Sequence, residues 1–137
     1  MKSKIAQLLI TLNKKLEVNF LDKTDVEIVQ YADKLVSKAK IITILDKNEL
    51  EGFIALYDND LKNKVAFVSM LAVAYTSLGK SYGKLLMQSA INTVQVQGFI
   101  YLDIMIDEGN MRSVDFVNHF NFKRVEEETV VKYRKEL

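Results

Sequence analysis

Apolar residues recur along this chain at two different periods, and the changes of period divide it into elements. Ile5, Leu8, Leu9, Leu12 and Leu16 fall on one face of an N-terminal helix. EVNFL (17–21) then reads as a short strand. Thr24 opens the tetrad T-D-V-E, a capping box in which Thr24 and Glu27 each satisfy an exposed backbone donor. The helix it starts runs to about Ala39, with Ile28, Tyr31, Ala32, Leu35 and Ala39 spaced for burial.

From Lys40 the period shortens. IITIL (41–45) and GFIALY (52–57) are β-branched or aromatic runs, and DKNELE between them predicts an antiparallel hairpin. DNDLKNK (58–64) supplies a second turn. KVAFVSMLAV (64–73) is apolar almost throughout, as expected of a central strand covered on both faces. A helix follows to about Gln97, with Leu85, Leu86, Ala90 and Val94 facing inward, and Gly98 ends it. FIYLDIMI (99–106) predicts another buried strand, DEGN (107–110) a loop, and MRSVDFVNHF a short helix. FKRV and TVVKY (129–133) predict a closing hairpin, with the acidic run Glu126–Glu128 and then Lys132, Arg134 and Lys135 on a solvated hairpin. The order α-β-α-β-β-β-α-β-α-β-β predicts a mixed α/β sheet, of the α+β kind, in one domain over residues 1–137.

Composition narrows the chemistry. The 137 residues can bury a core without covalent staples. The absence of cysteine excludes disulfides and thiolate metal sites, and a single histidine, His119, argues against an imidazole-held metal. A net charge of +1 argues against a nucleic-acid partner. No apolar run reaches the roughly 20 residues that span a bilayer, and Lys14 and Lys15 interrupt any signal-like N-terminus. These features predict a cytoplasmic protein with no membrane partner.

Two of the five glycines, Gly79 and Gly83, stand where the long strand meets the third long helix, in LGKSYGKLLM (78–87). A helix start offers free N–H groups and roughly half a positive charge. Glycine lets backbone approach an anion closely, Lys80 and Lys84 add cations, and no carboxylate lies between Asp60 and Asp103. A phosphate-bearing ligand fits this chemistry. Gly79 as a turn residue and Gly83 as a helix-packing residue would account for the glycines equally well. A P-loop reading of A-YTSL-GKS fails on two grounds. Bulky residues fill the loop that should wrap the phosphates, and the remaining chain is too short for a nucleoside-triphosphatase sheet.

The register from Val73 through AYTS to LGKSYGKLLM resembles the acetyl-coenzyme A motif of the GNAT N-acetyltransferase superfamily, R-G-x-G-x-G-x-x-L-L at a strand-to-helix turn. Leu78 stands where the family usually has arginine or glutamine, and Ser81 where it usually has glycine. The segment from Ile104 to Phe122 resembles the family's next strand and helix, with Asn110 and Phe116 in place, Ser113 for alanine and Asn121 for glycine. The resemblance covers roughly residues 40–133. TDVEIVQYADKLVSKAKII and GFIALYDND look like the N-terminal parts of GNAT proteins found with bacterial surface-polysaccharide enzymes.

The resemblance implies a mostly antiparallel sheet splayed at the cofactor site, helices on both faces, and acetyl-coenzyme A as cosubstrate without a metal. It implies transfer of the acetyl group to a primary amine of a small acceptor, such as an amino sugar or its nucleotide-linked form, by direct attack. It leaves a homodimer open, and also a GNAT-fold module that binds acyl-coenzyme A without catalysis. The backbone of Leu71, Ala72 and Val73 would pair with the pantetheine arm, and an N–H near Leu71 would polarise the thioester carbonyl. Leu78, Gly79, Lys80, Ser81, Tyr82, Gly83 and Lys84 would surround the diphosphate. Asn110 and Ser113 would lie along the coenzyme arm, although Asn110 is also a good N-cap. Val117 occupies the position of the family's proton-donating tyrosine. Glu51, Asp58 and Asp103 are candidate bases, Ser69 could position a water, and His119 reads as a partly exposed helix residue.

Overall fold

The computed structural model describes residues 1–16, 21–125 and 131–137. The predicted strand at 17–21, apart from Leu21, and the acidic run Glu126–Glu128 lie outside the described residues. The elements are α1 (Lys2–Lys15), α2 (Asp25–Lys38), β1 (Lys40–Asp46), β2 (Glu49–Asp60), β3 (Val65–Val73), a 3-10 turn (Tyr75–Ser77), α3 (Tyr82–Val96), β4 (Tyr101–Ile106), α4 (Met111–His119), β5 (Lys123–Val125) and β6 (Val131–Glu136). The strands form one six-stranded sheet in the order β1-β2-β3-β4-β6-β5. β4 is parallel to β3 and antiparallel to β6, and β5 is antiparallel to β6, so the sheet is mixed as expected. The chain divides into two compact units, 1–55 with 70–90, and 56–69 with 91–137.

In the first unit, the capping box forms as the sequence predicts. The Thr24 hydroxyl accepts from the Glu27 N–H at 3.2 Å, and the Glu27 carboxylate accepts from the Thr24 N–H at 3.0 Å. Helix α2 then places Ile28, Ala32 and Leu35 in one core with Ile5, Leu8, Leu9 and Leu12 of α1, Leu50, Phe53 and Ala55 of β2 and Ala72 of β3. Each large side chain buried there contributes about 1.5–3 kcal/mol. Tyr31, Ala39 and Leu16 pack at its margin.

The β1–β2 turn is tighter than DKNELE suggested. Lys47 and Asn48 alone form the loop, with φ of 50° and 67°, a two-residue turn whose twist matches the flanking strands. Asparagine tolerates that conformation, so β2 begins at Glu49 and the glutamates flank Leu50 on an extended strand. Phe53 and Ala55 enter the α1–α2 core, whereas Gly52 packs toward the end of β3 and α3. A Cβ at position 52 would lie 3.1 Å from the Ala72 carbonyl oxygen and from the Leu86 Cδ1, and 3.6 Å from the Val73 Cα. Glycine at 52 therefore permits close packing between β2, the end of β3 and α3. Leu85, expected inward, is exposed on α3, whereas Leu86, Met87, Ala90, Ile91 and Val94 are buried. The buried stripe includes Met87 and Ile91, which rotates the helix away from Leu85.

In the second unit, the parallel ladder runs from Val65↔Tyr101 to Val68↔Ile104 and includes no later pair among the described residues. The antiparallel ladder of β4 with β6 runs from Tyr101↔Glu136 to Ile106↔Val131. Strand β4 starts at Tyr101 rather than residue 99 because the chain first turns on the Lys64 carbonyl, which accepts the N–H groups of Ile100 and Tyr101 at 2.8 and 3.2 Å. Strand β6 continues past Tyr133 to Glu136, which takes Arg134 and Lys135 out of the solvated hairpin expected for them. Helix α4 ends on Asn121 at φ 65°, and the Phe122 N–H reaches back to the Val117 carbonyl at 3.1 Å. This is a left-handed helix stop that asparagine can serve in place of glycine.

Gly52→Val is expected to lower stability by about 2–3 kcal/mol, because backbone atoms border the site and cannot move aside as side chains do. Urea denaturation with an unchanged m-value and a reduced midpoint would show it, and an unchanged midpoint would contradict the packing described.

Candidate functional site

The end of β3 and the start of α3 are joined by a segment held from β2. The Ala74 N–H donates to the Glu51 carbonyl at 2.8 Å, and the Ser77 N–H to the Ala74 carbonyl at 2.9 Å. Ser77 is fully buried, and its hydroxyl donates to the Glu51 carboxylate. The Ser77 carbonyl in turn accepts the Lys80 N–H at 3.2 Å. Past this tie, Gly79 has φ 90° and Ser81 φ 62°. No heavy atom outside its immediate chain neighbours lies within 4 Å of a Cβ built on Gly79, so conformation and not space demands glycine there. Ser81 adopts the left-handed region at the family's glycine position, at a cost of about 1–2 kcal/mol for a residue with a side chain.

The Ser81 carbonyl accepts the Leu85 N–H at 3.1 Å, which closes the first turn of α3. The N–H groups of Gly79, Ser81, Tyr82, Gly83 and Lys84 have no acceptor among the described residues, as a helix start dictates. The Lys80 N–H is bound to Ser77, so what Lys80 can offer an anion is its exposed ammonium. Lys84 and Leu78 are also exposed. Leu71 and Val73 are half-buried and Ala72 is buried in the core. The segment thus combines unpaired donors, two lysines and an apolar rim, and the Glu51 carboxylate that reaches it from β2 is engaged by Ser77. That donor set suits a diphosphate.

The remaining expected residues belong to the second unit. Asn110 caps α4, its side-chain oxygen accepting the N–H groups of Arg112 and Ser113 at 3.2 and 3.4 Å. Ser113 and Ser69 are half-buried. Val117 is fully buried and carries no proton to give. His119 is exposed, its ring edge-on to Phe120 with centroids 5.2 Å apart. Asp103 is 3% exposed, and Arg134 holds both of its carboxylate oxygens, Nε to Oδ1 at 2.8 Å and Nη2 to Oδ2 at 2.9 Å. Lys132 stands 3.8 Å away, and the Arg134 guanidinium lies 4.3 Å over the Tyr101 ring. Asp103 and Arg134 face each other directly across the β4–β6 ladder. The ion pair holds the Arg134 guanidinium proton more tightly than in water, chiefly through its hydrogen bonds to Asp103. A carboxylate so engaged serves the sheet rather than an amine, which corrects its candidacy as a base.

One cluster had no signal in the sequence. The buried Tyr133 donates its hydroxyl proton to Glu108 at 2.6 Å, and the Arg124 Nε donates to the same carboxylate at 3.0 and 3.2 Å. Arg124 and Tyr133 are opposite each other in the β5–β6 ladder, so a register had to be known before Glu108 could be placed between them. The Tyr133 hydrogen bond, followed by that from Arg124, lowers the Glu108 pKa, and the same bond raises that of Tyr133. The cluster fastens the loop that leads into Asn110.

Among the described residues no group of histidines and acids is placed to hold a metal, and no helix is long and apolar enough to cross a membrane. The fold is that of a mixed α/β sheet with unpaired backbone donors at a strand-to-helix junction. The Acetyltransferase (GNAT) family model matches residues 6–122, and the chain belongs to the GNAT acetyltransferase family. Solved structures with a similar fold include a GNAT-family acetyltransferase from Staphylococcus aureus Mu50, with a TM-score of 0.79 at 14% identity, covering 99% of this chain and 92% of that one. The PaiA N-acetyltransferase of Thermoplasma acidophilum, in complex with coenzyme A, gives 0.75 at 13% identity over 99% and 92% of the two chains. An aminoglycoside 6′-N-acetyltransferase complexed with coenzyme A gives 0.76 at 15% identity over 98% and 89%. No curated protein sequence matches the chain significantly.

The Glu108 cluster has a definite pH signature. Because its folded pKa lies below the unfolded value of about 4.3, Glu108 contributes stability above that value and loses it as pH falls through the folded pKa. Tyr133→Phe is expected to lower the melting temperature at pH 7, with the gap from wild type narrowing in melts taken from pH 5 down to pH 3. A gap independent of pH would mean that the hydroxyl matters for packing and not for the carboxylate.

Proposed function

We propose that this chain transfers the acetyl group of acetyl-coenzyme A to a primary amine of a small acceptor. The observation that carries the proposal is the row of unpaired N–H groups from Ser81 to Lys84, preceded by Gly79 in a left-handed conformation and flanked by the Lys80 and Lys84 ammonium groups. Acetyl-coenzyme A brings an activated acyl carbon and a thiolate leaving group. The chain's own residues bind and orient. Backbone amides of Leu71, Ala72 and Val73 pair with the pantetheine arm as an added strand would, and the N–H near Leu71 donates to the thioester oxygen as negative charge collects there. Amides at the α3 start hold the diphosphate, which fixes the acyl carbon for the amine and converts an encounter between two molecules into one within a complex.

The carboxylates of Asp103 and Glu51 are engaged by Arg134 and Ser77, so the candidates for taking the amine proton are Asp58 and a water positioned by the Ser69 hydroxyl. Asn110 caps α4 with its side-chain oxygen and has its amide group left for the coenzyme arm, beside Ser113. An amino sugar or a nucleotide-linked amino sugar is the acceptor class favoured by the likeness of the N-terminal segments. The fold shared with an aminoglycoside N-acetyltransferase supports the same class.

A second reading, a module that binds acyl-coenzyme A without turning it over, is favoured by buried Val117 and by Leu78 at the usual cationic position. Thermal melts and thiol release separate the cases. Acetyl-coenzyme A is expected to raise the melting temperature, ATP with magnesium to leave it unchanged, and free thiol to appear with an amino-sugar acceptor. Gly83→Glu is expected to abolish the thermal shift by placing bulk and charge against the diphosphate. A shift without thiol release across amino sugars, polyamines and peptides would establish the binding module, and a shift with ATP alone would overturn both readings.

A further inference from the structure

We infer that Glu51 is a positioning residue for the diphosphate seat and acts through Ser77, an inference that rests on the function proposed above. Two hydrogen bonds lead from strand β2 into the loop, and a third continues within it. The Glu51 carbonyl takes the Ala74 N–H, its carboxylate takes the Ser77 hydroxyl proton, and the Ser77 carbonyl takes the Lys80 N–H. Beside Glu51, Gly52 lets β2 lie against the backbone of Ala72 and Val73, so the anchor itself is set by close packing. Ser77 is fully buried, which leaves its hydroxyl no water to turn to if the carboxylate is removed.

The residues just beyond the tie, Gly79 and Ser81, both hold positive φ values, and Ser81 does so with a side chain. Such a conformation persists only where its surroundings over-determine it. The Ser77 tie supplies that constraint on the N-terminal side, and the first turn of α3 supplies it on the other through the bond from the Leu85 N–H to the Ser81 carbonyl. Between these two fixed points lie the amides of Gly79 and Ser81. Glu51 therefore presets the loop that the diphosphate meets, a role exerted through Ser77 and the backbone rather than on the acceptor amine.

The test compares Ser77→Ala, Glu51→Ala and Glu51→Gln with wild type by calorimetric titration with coenzyme A and by melting of the ligand-free protein. Glutamine keeps an acceptor oxygen for Ser77 and loses only the charge. The Kd for coenzyme A is expected to rise about tenfold in Ser77→Ala and Glu51→Ala, the effect of one charge-assisted hydrogen bond. Glu51→Gln is expected to stay within about threefold of wild type, since the acceptor is retained. Unchanged Kd values in both alanine variants, with or without a lower melting temperature, would overturn the inference while leaving the proposed function intact. So would a glutamine variant as weak as the alanine one. Wild-type protein that bound no coenzyme A would overturn the proposed function and this inference together.

Discussion

Backbone N–H groups at the beginning of α3 cannot be satisfied from within the helix, and the structure around them is organised to keep them in place. Gly52 brings β2 against the end of β3, Glu51 fastens the loop at Ala74 and Ser77, and Ser81 closes the first helical turn. A loop held only by its own turn residues would have many conformations to choose from. This one is fixed at both ends, so the entropy of ordering its donors is lost on folding rather than on binding. Under the proposed function, a diphosphate would meet donors already in place.

The second unit shows a different use of charge. Its ion pairs are partly removed from water and are anchored on paired strands rather than at a helix start. Asp103 with Arg134 crosses the β4–β6 ladder, and Arg124 with Tyr133 brackets Glu108 at the loop before α4. Both acids therefore fasten β-structure.

Much of the fold was legible because period and capping are local. Ile5 to Leu12, Thr24 with Glu27, and the apolar run 65–73 each carry their own signal, and each forms the element that signal predicts. Leu85 and the β1–β2 turn were misjudged where two local solutions were open and packing chose between them. The strand-to-helix junction was legible in its glycines and lysines, yet its tie was not, because Glu51 and Ser77 are 26 residues apart and meet only through strand placement. Asp103 read as a candidate base for the same reason, since its partner Arg134 lies 31 residues away. Where Ser81 and Asn121 depart from glycine, the backbone still takes the glycine-like conformation, so the departures alter cost rather than shape.

The most direct measurement is a crystal structure of the protein grown with acetyl-coenzyme A. The account predicts diphosphate oxygens about 2.7–3.2 Å from the amide nitrogens of Ser81 to Lys84, the range of an N–H···O hydrogen bond. A diphosphate bound elsewhere on the chain, with those nitrogens facing only water or the Leu78 side chain, would contradict it.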